Sequence, residues 1–329
     1  MSNFLQTIES LGDDCARVVL SATAKTASGR VLSAEEKDVK AALEPALREM
    51  ARCGMKPDDK YALAAFIQSV VQRDAETIPD EALSQCFAES SIGEDDYVET
   101  VMPPENTLVA YEAAQGGNVP ASYLNPENVG LKTKNLQIDT FVTYRNMRNN
   151  PWNSVSALTE FAGLALRGGM FRTVFGDLDA LITQVVNGGG AQPTQDEADE
   201  LAAFAFSNGL ADSALVARAK YIFTIGGFTY ASQVAADEAH RSGVPALYRG
   251  VRMLPVRETS GMTANQLFPD ERIYAIAGKI GTLVTRGDVS VFVDEDNKTE
   301  QFHIMFKNFV FDWGFTHAGL ARVMKWQAA

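Results

Sequence analysis

The last sixth of the chain constrains the fold most, because it reads as strand after strand with few residues that do chemistry. Apolar and polar residues alternate on both sides of a polar stretch at 294–300, the period of two that half-buried strands have. The alternating apolar residues are Val289, Val291, Val293, Phe302, Ile304 and Phe306. At Lys307–Asn308 the alternation shifts by one residue, which indicates a β-bulge and a bent sheet. Such a sheet either closes a core or offers a surface to copies of the same chain.

Length and composition predict a globular protein with two or three folding units. A chain of 329 residues can bury a large core, and 46% hydrophobic with 22% charged residues is ordinary for that class. No run approaches the roughly 20 apolar residues of a membrane-spanning helix, and the first residues lack the features of a secretory signal. Cys15, Cys53 and Cys86 are odd in number and lack CxxC spacing, so we expect buried, reduced thiols in a cytoplasmic compartment.

The net charge of −13 argues against sequence-specific binding of nucleic acid, because most of the surface would repel phosphate. Two short basic patches interrupt the acidic background, at 144–152 and at 247–257. We interpret each as a solvated or ion-paired face, with a track for phosphates as the alternative.

The first hundred residues predict a separate helical region. Ser33 and Glu36 have the spacing of a capping box at the start of a helix that ends near Gly54, with an expected kink at Pro45. A second helix is expected to begin at Pro57, and a shorter one covers 79–90. We assign residues 1–100 to this region or arm.

Residues 101–151 predict a long hairpin with a polar tip. Its two legs are expected at 108–113 and 136–144, and glycines and prolines punctuate the chain between them. A tip of this length has little of its own chain to pack on. It is either a disordered loop or an arm that leans on another molecule.

The rest of the chain divides into three further parts. A long helix at 153–186, with an expected break at Gly168–Gly169, dominates residues 152–194. Residues 195–275 predict a compact α/β lobe that opens with a second capping box, Thr194 and Glu197, and contains a helix at 229–243. Its short buried strands are expected at 246–256 and 272–278, and residues 276–329 form the terminal hairpin and return strands.

Several short motifs match known sites by letters alone. Asp237–His240 spells the helicase signature DEAH, but no phosphate loop precedes it. Arg286–Asp288 spells RGD and is interpreted as a turn between strands. Asn297 begins a glycosylation sequon, which has no meaning in a protein that does not enter the secretory route. The run 294–297 resembles the start of a calcium loop, but Lys298 occupies the third ligand position. Gly188–Gly190 lacks the preceding strand of a phosphate cradle and is interpreted as a hinge.

No catalytic, cofactor-binding or metal-binding residue is assigned. His240, His303 and His317 are too few and too dispersed for zinc chemistry of the HExxH kind. A Cys–His pair among Cys53, Cys86 and the histidines stays open as an enzyme alternative, because neighbours in space cannot be read from sequence.

The order of these parts resembles the major capsid protein of tailed bacteriophages, which has the Hong Kong 97 capsid fold. Residues 109–144 are similar to the extended loop of that family, 154–175 to its spine helix and 246–256 to a strand of its axial domain. Residues 281–315 resemble its peripheral-domain hairpin and return. The resemblance covers roughly residues 100–329 and implies an α+β fold with an additional helical N-terminal region.

The resemblance also implies a function. Subunits would assemble into pentamers and hexamers of an icosahedral virion shell in the host cytoplasm, around double-stranded DNA held without sequence specificity. Portal, decoration and scaffolding proteins would be partners, with no cofactor and no membrane. An encapsulin-like cage that houses cargo enzymes is the alternative with the same fold.

Two properties of some family members are not carried over. Some members join their arms covalently through Lys and Asn, and although Lys132 and Lys134 lie in the loop-like segment, no acceptor asparagine matches. Some carry an N-terminal scaffolding region that a protease removes. Residues 1–100 resemble it in size, but we expect them to stay as a structural domain or arm.

Overall fold

The computed structural model describes the chain in segments. They are residues 33–53, 57–77, 81–93, 96, 98, 100–102, 127–183, 185–187, 193–209, 213–226, 247–256, 268–296 and 300–326. The helices are α1 (Ala34–Cys53), α2 (Pro57–Thr77), α3 (Glu81–Cys86), α4 (Tyr144–Asn149), α5 (Pro151–Leu181), α6 (Gln195–Gly209) and α7 (Ala219–Gly226). The strands from the first half of the chain are β1 (Phe87–Ile92), β2 (Thr100–Met102), β3 (Glu127–Val129), β4 (Lys132–Thr143) and β5 (Val185–Asn187). Those from the second half are β6 (Ala214–Arg218), β7 (Leu247–Tyr248), β8 (Val251–Val256), β9 (Arg272–Ile276), β10 (Gly281–Arg286), β11 (Ser290–Asp296), β12 (Gln301–Phe315) and β13 (Ala321–Lys325).

The first sheet is built around the long strand β12. One edge of β12 pairs antiparallel with β4 along most of its length, and the other edge pairs first with β11 and then with β10. Because β10 and β11 follow each other along the same edge, they act as one long strand interrupted by a turn. The turn contains Gly287 at φ +57°, so the RGD tripeptide links two strands as predicted. Strand β1 completes this sheet, parallel to β10.

A β-bulge lies opposite that turn, where the sequence predicts it. The register between β12 and β4 shifts between Phe306 and Phe309, and Asn308 has a φ of +62°. Asparagine tolerates this left-handed conformation better than most residues do. Its side-chain amide also donates a hydrogen bond to Ser290 Oγ (3.3 Å) across the break. The turn between β10 and β11 and the bulge in β12 therefore bend these neighbouring strands at the same position along the sheet.

The second sheet forms the α/β lobe and has the order β5-β13-β9-β6-β8-β7. Two neighbouring strands at one end of this order come from outside residues 195–275, because β5 follows the long helix and β13 lies near the C-terminus. Helices α6 and α7 pack on it through a core that includes Leu201, Ile222 and Ile273. The lobe is thus completed by one strand from before and one strand from after residues 195–275.

Helix α5 joins the two sheets because it contributes to two hydrophobic cores. Its first half places Trp152, Val155 and Leu166 in a core with α1, α2 and the β11–β12 hairpin. Its second half places residues such as Phe175 and Leu178 in a core beneath β9, β10 and β13. Helices α1 and α2 therefore share a core with α5 and the β11–β12 hairpin, although the sequence suggested a separate helical region.

The predicted helix starts agree with the structure. Ser33 N–H donates to Glu36 Oε2 (2.6 Å) and Glu36 N–H to Ser33 Oγ (3.3 Å), the two bonds of a capping box. Thr194 and Glu197 form the same pair (2.8 and 3.4 Å). Helix α1 continues through the exposed Pro45, and α2 begins at Pro57.

Three expectations about secondary structure are wrong. The helix expected at 79–90 ends at Cys86, and Phe87–Ile92 is strand β1. The long helix is not broken at Gly168–Gly169 but runs to Leu181, after which Val185–Asn187 is a strand. Gly169 instead permits close packing, since a Cβ there would lie 2.7 Å from Leu136 Cδ1 of β4. The leg expected at 108–113 and the helix expected at 229–243 lie outside the described residues.

Candidate assembly interface

Strand β4 presents an open edge. It pairs with β12 on one side, and among the described residues no strand pairs with its other side. The strand is the predicted second leg of the hairpin, and it ends at Thr143 where α4 begins. An unpaired edge offers a row of backbone N–H and C=O groups to another strand. The first sheet can therefore be extended at β4.

The outward face of β4 carries an exposed aromatic residue. Ile138 and Val142 turn toward the core, whereas Asp139 and Phe141 alternate outward. Phe141 is 55% exposed and stacks on His303 of β12, with ring centroids 4.6 Å apart. His303 Nε2 also contacts Asp139 Oδ1. The cross-strand contacts fix the ring of Phe141 in place without covering it.

Helix α5 lines the same edge with small and apolar side chains. Ser154, Ala157, Phe161 and Ala165 follow one another at helical spacing on the face beside β4. The helix and the strand enclose an open groove of 740 Å³. Phe161 is 53% exposed, and it and Phe141 both line the groove, whose rim includes Asn146, Asn150 and Asn153. Two half-exposed phenylalanines beside an unpaired strand edge form a surface suited to an extended segment of another chain. We call this surface the edge groove.

A second exposed apolar surface lies on the α/β lobe. Strands β7 and β8 meet in a tight turn in which Arg249 (φ +51°) and Gly250 (φ +84°) are left-handed, as hairpin turns of two residues require. A Cβ on Gly250 would lie 3.1 Å from Phe206 Cε2 of α6, so the glycine lets that ring approach the turn. Phe206 and Leu247 are both more than half exposed.

Asp199 of α6 holds this turn. It accepts hydrogen bonds from Tyr248 OH (2.5 Å) and from Arg249 Nε and Nη2 (3.0 and 2.8 Å). Partial burial acts to raise the pKa of Asp199, but the bonds from Arg249 and Tyr248 outweigh it and lower the pKa. Burial and the Asp199 carboxylate raise the pKa of Tyr248, so its hydroxyl stays a donor. The patch at 247–257, interpreted from sequence as solvated or ion-paired, is ion-paired at Arg249.

A charged cluster fixes the segment that leads into β9. Arg218, almost fully buried, donates to the Phe268 carbonyl oxygen through Nε and Nη2 (3.1 and 2.6 Å), and its Nη1 lies 3.0 Å from Asp270 Oδ2. Tyr221 OH (2.6 Å) and Lys220 Nζ (2.8 Å) also bind Asp270. Burial acts to raise the pKa of Asp270, but hydrogen bonds from Lys220 and Tyr221 lower it to about 2.

The described structure includes only some residues of the enzyme alternative. Cys86 is a buried thiol in the core beneath β10, and the described residues hold no group of three or more potential metal ligands. His303 lies on the outward face of β12, while His317 Nδ1 is 2.9 Å from Thr316 Oγ1 beyond the end of that strand. Cys15, the side chain of Cys53 and His240 lie outside what is described.

The other sequence motifs are distributed as follows. The DEAH run, the sequon at Asn297 and the Gly188–Gly190 hinge fall outside the described residues. Lys132 forms an ion pair with Asp177 of α5 (2.8 Å) in the described structure. No helix in the described segments is both long and apolar enough to cross a membrane.

The sequence did not reveal Phe141 or Phe161 as site residues. Each belongs to an amphipathic pattern that looks like core, and only the pairing of β4 with β12 beside α5 shows that both rings are uncovered. The related signal in the sequence was the length of the expected hairpin tip, which indicated either a disordered loop or an arm that leans on another molecule.

Comparison with known proteins shows similarity of structure alone. No protein-family model matches the chain, and no curated protein matches it. A chain from the structure of Gordonia phage Cozz aligns with a TM-score of 0.56 and 9% identity, covering 76% of this chain and 87% of that one. The capsids of the empty and the native GTA particle align with TM-scores of 0.51 and 0.50 and identities of 12% and 13%. Each alignment covers 77% of this chain and 91% of the other.

These similarities extend over most of both molecules. The bent sheet around β12, the long helix α5 and the mixed α/β lobe follow in the order expected from the sequence. The chain has the Hong Kong 97 capsid fold.

Proposed function

We propose that this chain is a shell-forming subunit, the major capsid protein of a tailed double-stranded DNA bacteriophage. The observation that carries the proposal is the edge groove on a fold shared with two capsid structures. Two exposed phenylalanines beside an unpaired strand edge are unfavourable in water for a monomer. The same surface can form a contact where identical subunits repeat.

The groove suggests how one copy engages the next. An extended segment can add to the free edge of β4 through backbone hydrogen bonds while its apolar side chains cover Phe141 and Phe161. We assign the segment to the hairpin arm of a neighbouring copy, at the first leg expected over residues 108–113, which begins with the apolar run 108–111. Repetition of this contact around a ring gives pentamers and hexamers, and closure of the rings gives an icosahedral shell.

The remaining parts of the proposal follow from this role. The subunit is a component of the virion, assembled in the host cytoplasm, and it is not an enzyme. Its partners are further copies of itself, a portal, decoration or scaffolding proteins, and packaged DNA held without sequence specificity. The net charge of −13 is compatible with this, because a genome driven in by a motor does not require a basic lining.

Negative-stain electron microscopy with light scattering on the purified chain tests the proposal. We expect closed shells, or rings of five and six subunits. A uniform population of monomers or dimers of 35.7 kDa chains under assembly conditions would contradict it. The contents of the particles separate the two shell functions, since nucleic acid favours the virus and a cargo protein favours the encapsulin-like cage.

A further inference from the structure

Three arginines converge at the junction of the N-terminal helices with the first sheet. Arg48 and Arg52 lie near the end of α1, and Arg148 lies in the last turn of α4. Together with Asn149 they line an open pocket of 650 Å³. Arg148 belongs to the basic patch at 144–152 seen in the sequence, and the fold brings two further guanidinium groups to it.

Hydrogen bonds to backbone carbonyls hold two of these side chains in place. Arg148 Nε donates to the Ala51 carbonyl oxygen (2.7 Å), and Arg48 Nε donates to the Arg148 carbonyl oxygen (3.2 Å). The first bond satisfies a carbonyl at the end of α1 and so accounts for Arg148 as a helix cap. The second bond satisfies a carbonyl near the end of α4 in the same way, so neither bond accounts for Arg52, and both use Nε while other guanidinium N–H groups remain.

Carboxylates only partly neutralise the cluster. Among the described residues, the one carboxylate ion-paired with these three arginines is Glu44, which accepts from Arg48 Nη2 (3.0 Å). Arg52 makes no hydrogen bond or ion pair with any residue that the structure describes, and the Arg48 side chain is 45% exposed. The C-terminal ends of α1 and α4 favour nearby cations, which lets the cluster persist without a ligand. Arg52 and the remaining guanidinium N–H groups of Arg48 and Arg148 are then available to an anion.

We propose that Arg48, Arg52 and Arg148 form a phosphate-binding site through which the shell contacts the backbone of its packaged double-stranded DNA. The inference rests on the proposed function for the identity of the ligand. Guanidinium groups bind phosphate oxygens in paired N–H···O contacts, and such contacts carry no sequence information. The site accordingly supplies a local contact on a surface that otherwise repels DNA, without conferring sequence specificity.

Binding of a mixed-sequence DNA duplex to the full chain tests the inference. Fluorescence anisotropy over a range of salt concentrations is compared for the wild type, Arg52→Gln and Arg172→Gln. Arg52 is the cluster member whose loss breaks no described hydrogen bond. Arg172 is an exposed arginine of α5 without a described partner, so its substitution changes the net charge equally and serves as the control.

We expect Arg52→Gln to weaken binding roughly fivefold and to reduce the slope of log affinity against log salt by about 0.9, the value for one phosphate contact. Arg172→Gln should stay within about twofold of the wild type. Equal effects of the two substitutions, or no binding by the wild type at low salt, would overturn the inference.

A parallel titration with inorganic phosphate at matched ionic strength separates the two sources of a phosphate group. Arg52-dependent binding of inorganic phosphate without binding of the duplex would assign the pocket to a free anion and overturn the DNA contact. Light scattering on the same samples reports assembly. Shells that form normally while both variants bind DNA alike would contradict this inference and leave the proposed function standing.

Discussion

At the scale of residues, buried and half-buried charges fix the turns of the α/β lobe. Asp199, at the β7–β8 turn, binds a tyrosine hydroxyl and an arginine. Asp270, before β9, binds a tyrosine hydroxyl and a lysine. Both carboxylates have lowered pKa values because hydrogen bonds to the charged form outweigh the effect of burial. The lobe therefore depends on these groups staying ionised.

The Asp270 cluster predicts a specific loss of stability in acid. The pKa of Asp270 is lowered from 3.8 to about 2 in the folded chain, so its stabilising contribution is complete above about pH 4. The contribution is lost as the pH falls through about 2, where the folded carboxyl protonates. Asp270→Asn should consequently lower the urea midpoint near neutral pH, and its difference from the wild type should shrink between about pH 4 and about pH 2.

Asp38→Asn provides the control for this measurement. Asp38 is an exposed residue of α1 that makes no ion pair in the described structure. We expect the urea midpoint of Asp38→Asn to equal that of the wild type at every pH. A difference between Asp270→Asn and the wild type that stays constant across the acid range would contradict the role of the ionised carboxylate.

At the scale of elements, the long helix α5 contains glycines with opposite structural roles. A Cβ on Gly176 would meet no atom within 4 Å, whereas one on Gly169 would lie 2.7 Å from Leu136 Cδ1. Alanine stabilises a helix interior by about 1 kcal/mol relative to glycine. Gly176→Ala should therefore raise the free energy of unfolding by up to about 1 kcal/mol, while Gly169→Ala should gain less or lose stability because Leu136 must move.

Chemical denaturation of the two single variants checks this prediction. An equal gain from both substitutions would mean that Leu136 does not restrict Gly169. The double variant Gly169→Ala/Leu136→Ala serves as a further control. If the contact is the cause, the penalty on Gly169→Ala should disappear when measured against Leu136→Ala alone.

Sequence patterns predicted the elements that depend on residues close together in the chain. The capping boxes at Ser33 and Thr194 depend on residues three positions apart, and the bulge at Asn308 follows from a phase change within one strand. Strand β1 was missed because most of its residues are exposed and its identity comes from pairing with β10, almost two hundred residues later. The continuity of α5 at Gly169 was missed for the same reason, since Leu136 of a distant strand explains that glycine.

At the scale of the whole molecule, the edge groove is the surface through which we propose that copies of the chain meet. Its lining comes from β4 and α5, and the two rings at its surface come from different elements. Sequence reasoning could predict the fold, because the resemblance to a known fold follows from the order of parts. It could not predict the groove, which exists only when β4 pairs with β12 and lies beside α5.

Substitution of Phe161 tests the groove without disturbing a core. Phe161→Ser should leave the thermal unfolding of the chain nearly unchanged, because the ring is 53% exposed. Burial of a phenylalanine at a contact is worth about 2 kcal/mol, so the critical concentration for assembly should rise by at least about tenfold. Sedimentation of assembled material against total concentration measures this.

Tyr61→Ser is the matched control, because Tyr61 of α2 is 77% exposed and does not line the groove. We expect it to assemble at the concentration that the wild type requires. Identical critical concentrations for Phe161→Ser and the wild type would exclude the edge groove as a contact between copies.

Electron microscopy of the purified chain, with light scattering on the same sample, is the decisive measurement. Closed particles, or rings of five and six subunits, are the predicted result for a subunit with this fold and an uncovered edge groove. A uniform monomer or dimer that persists at high concentration would contradict the assignment of a shell-forming role.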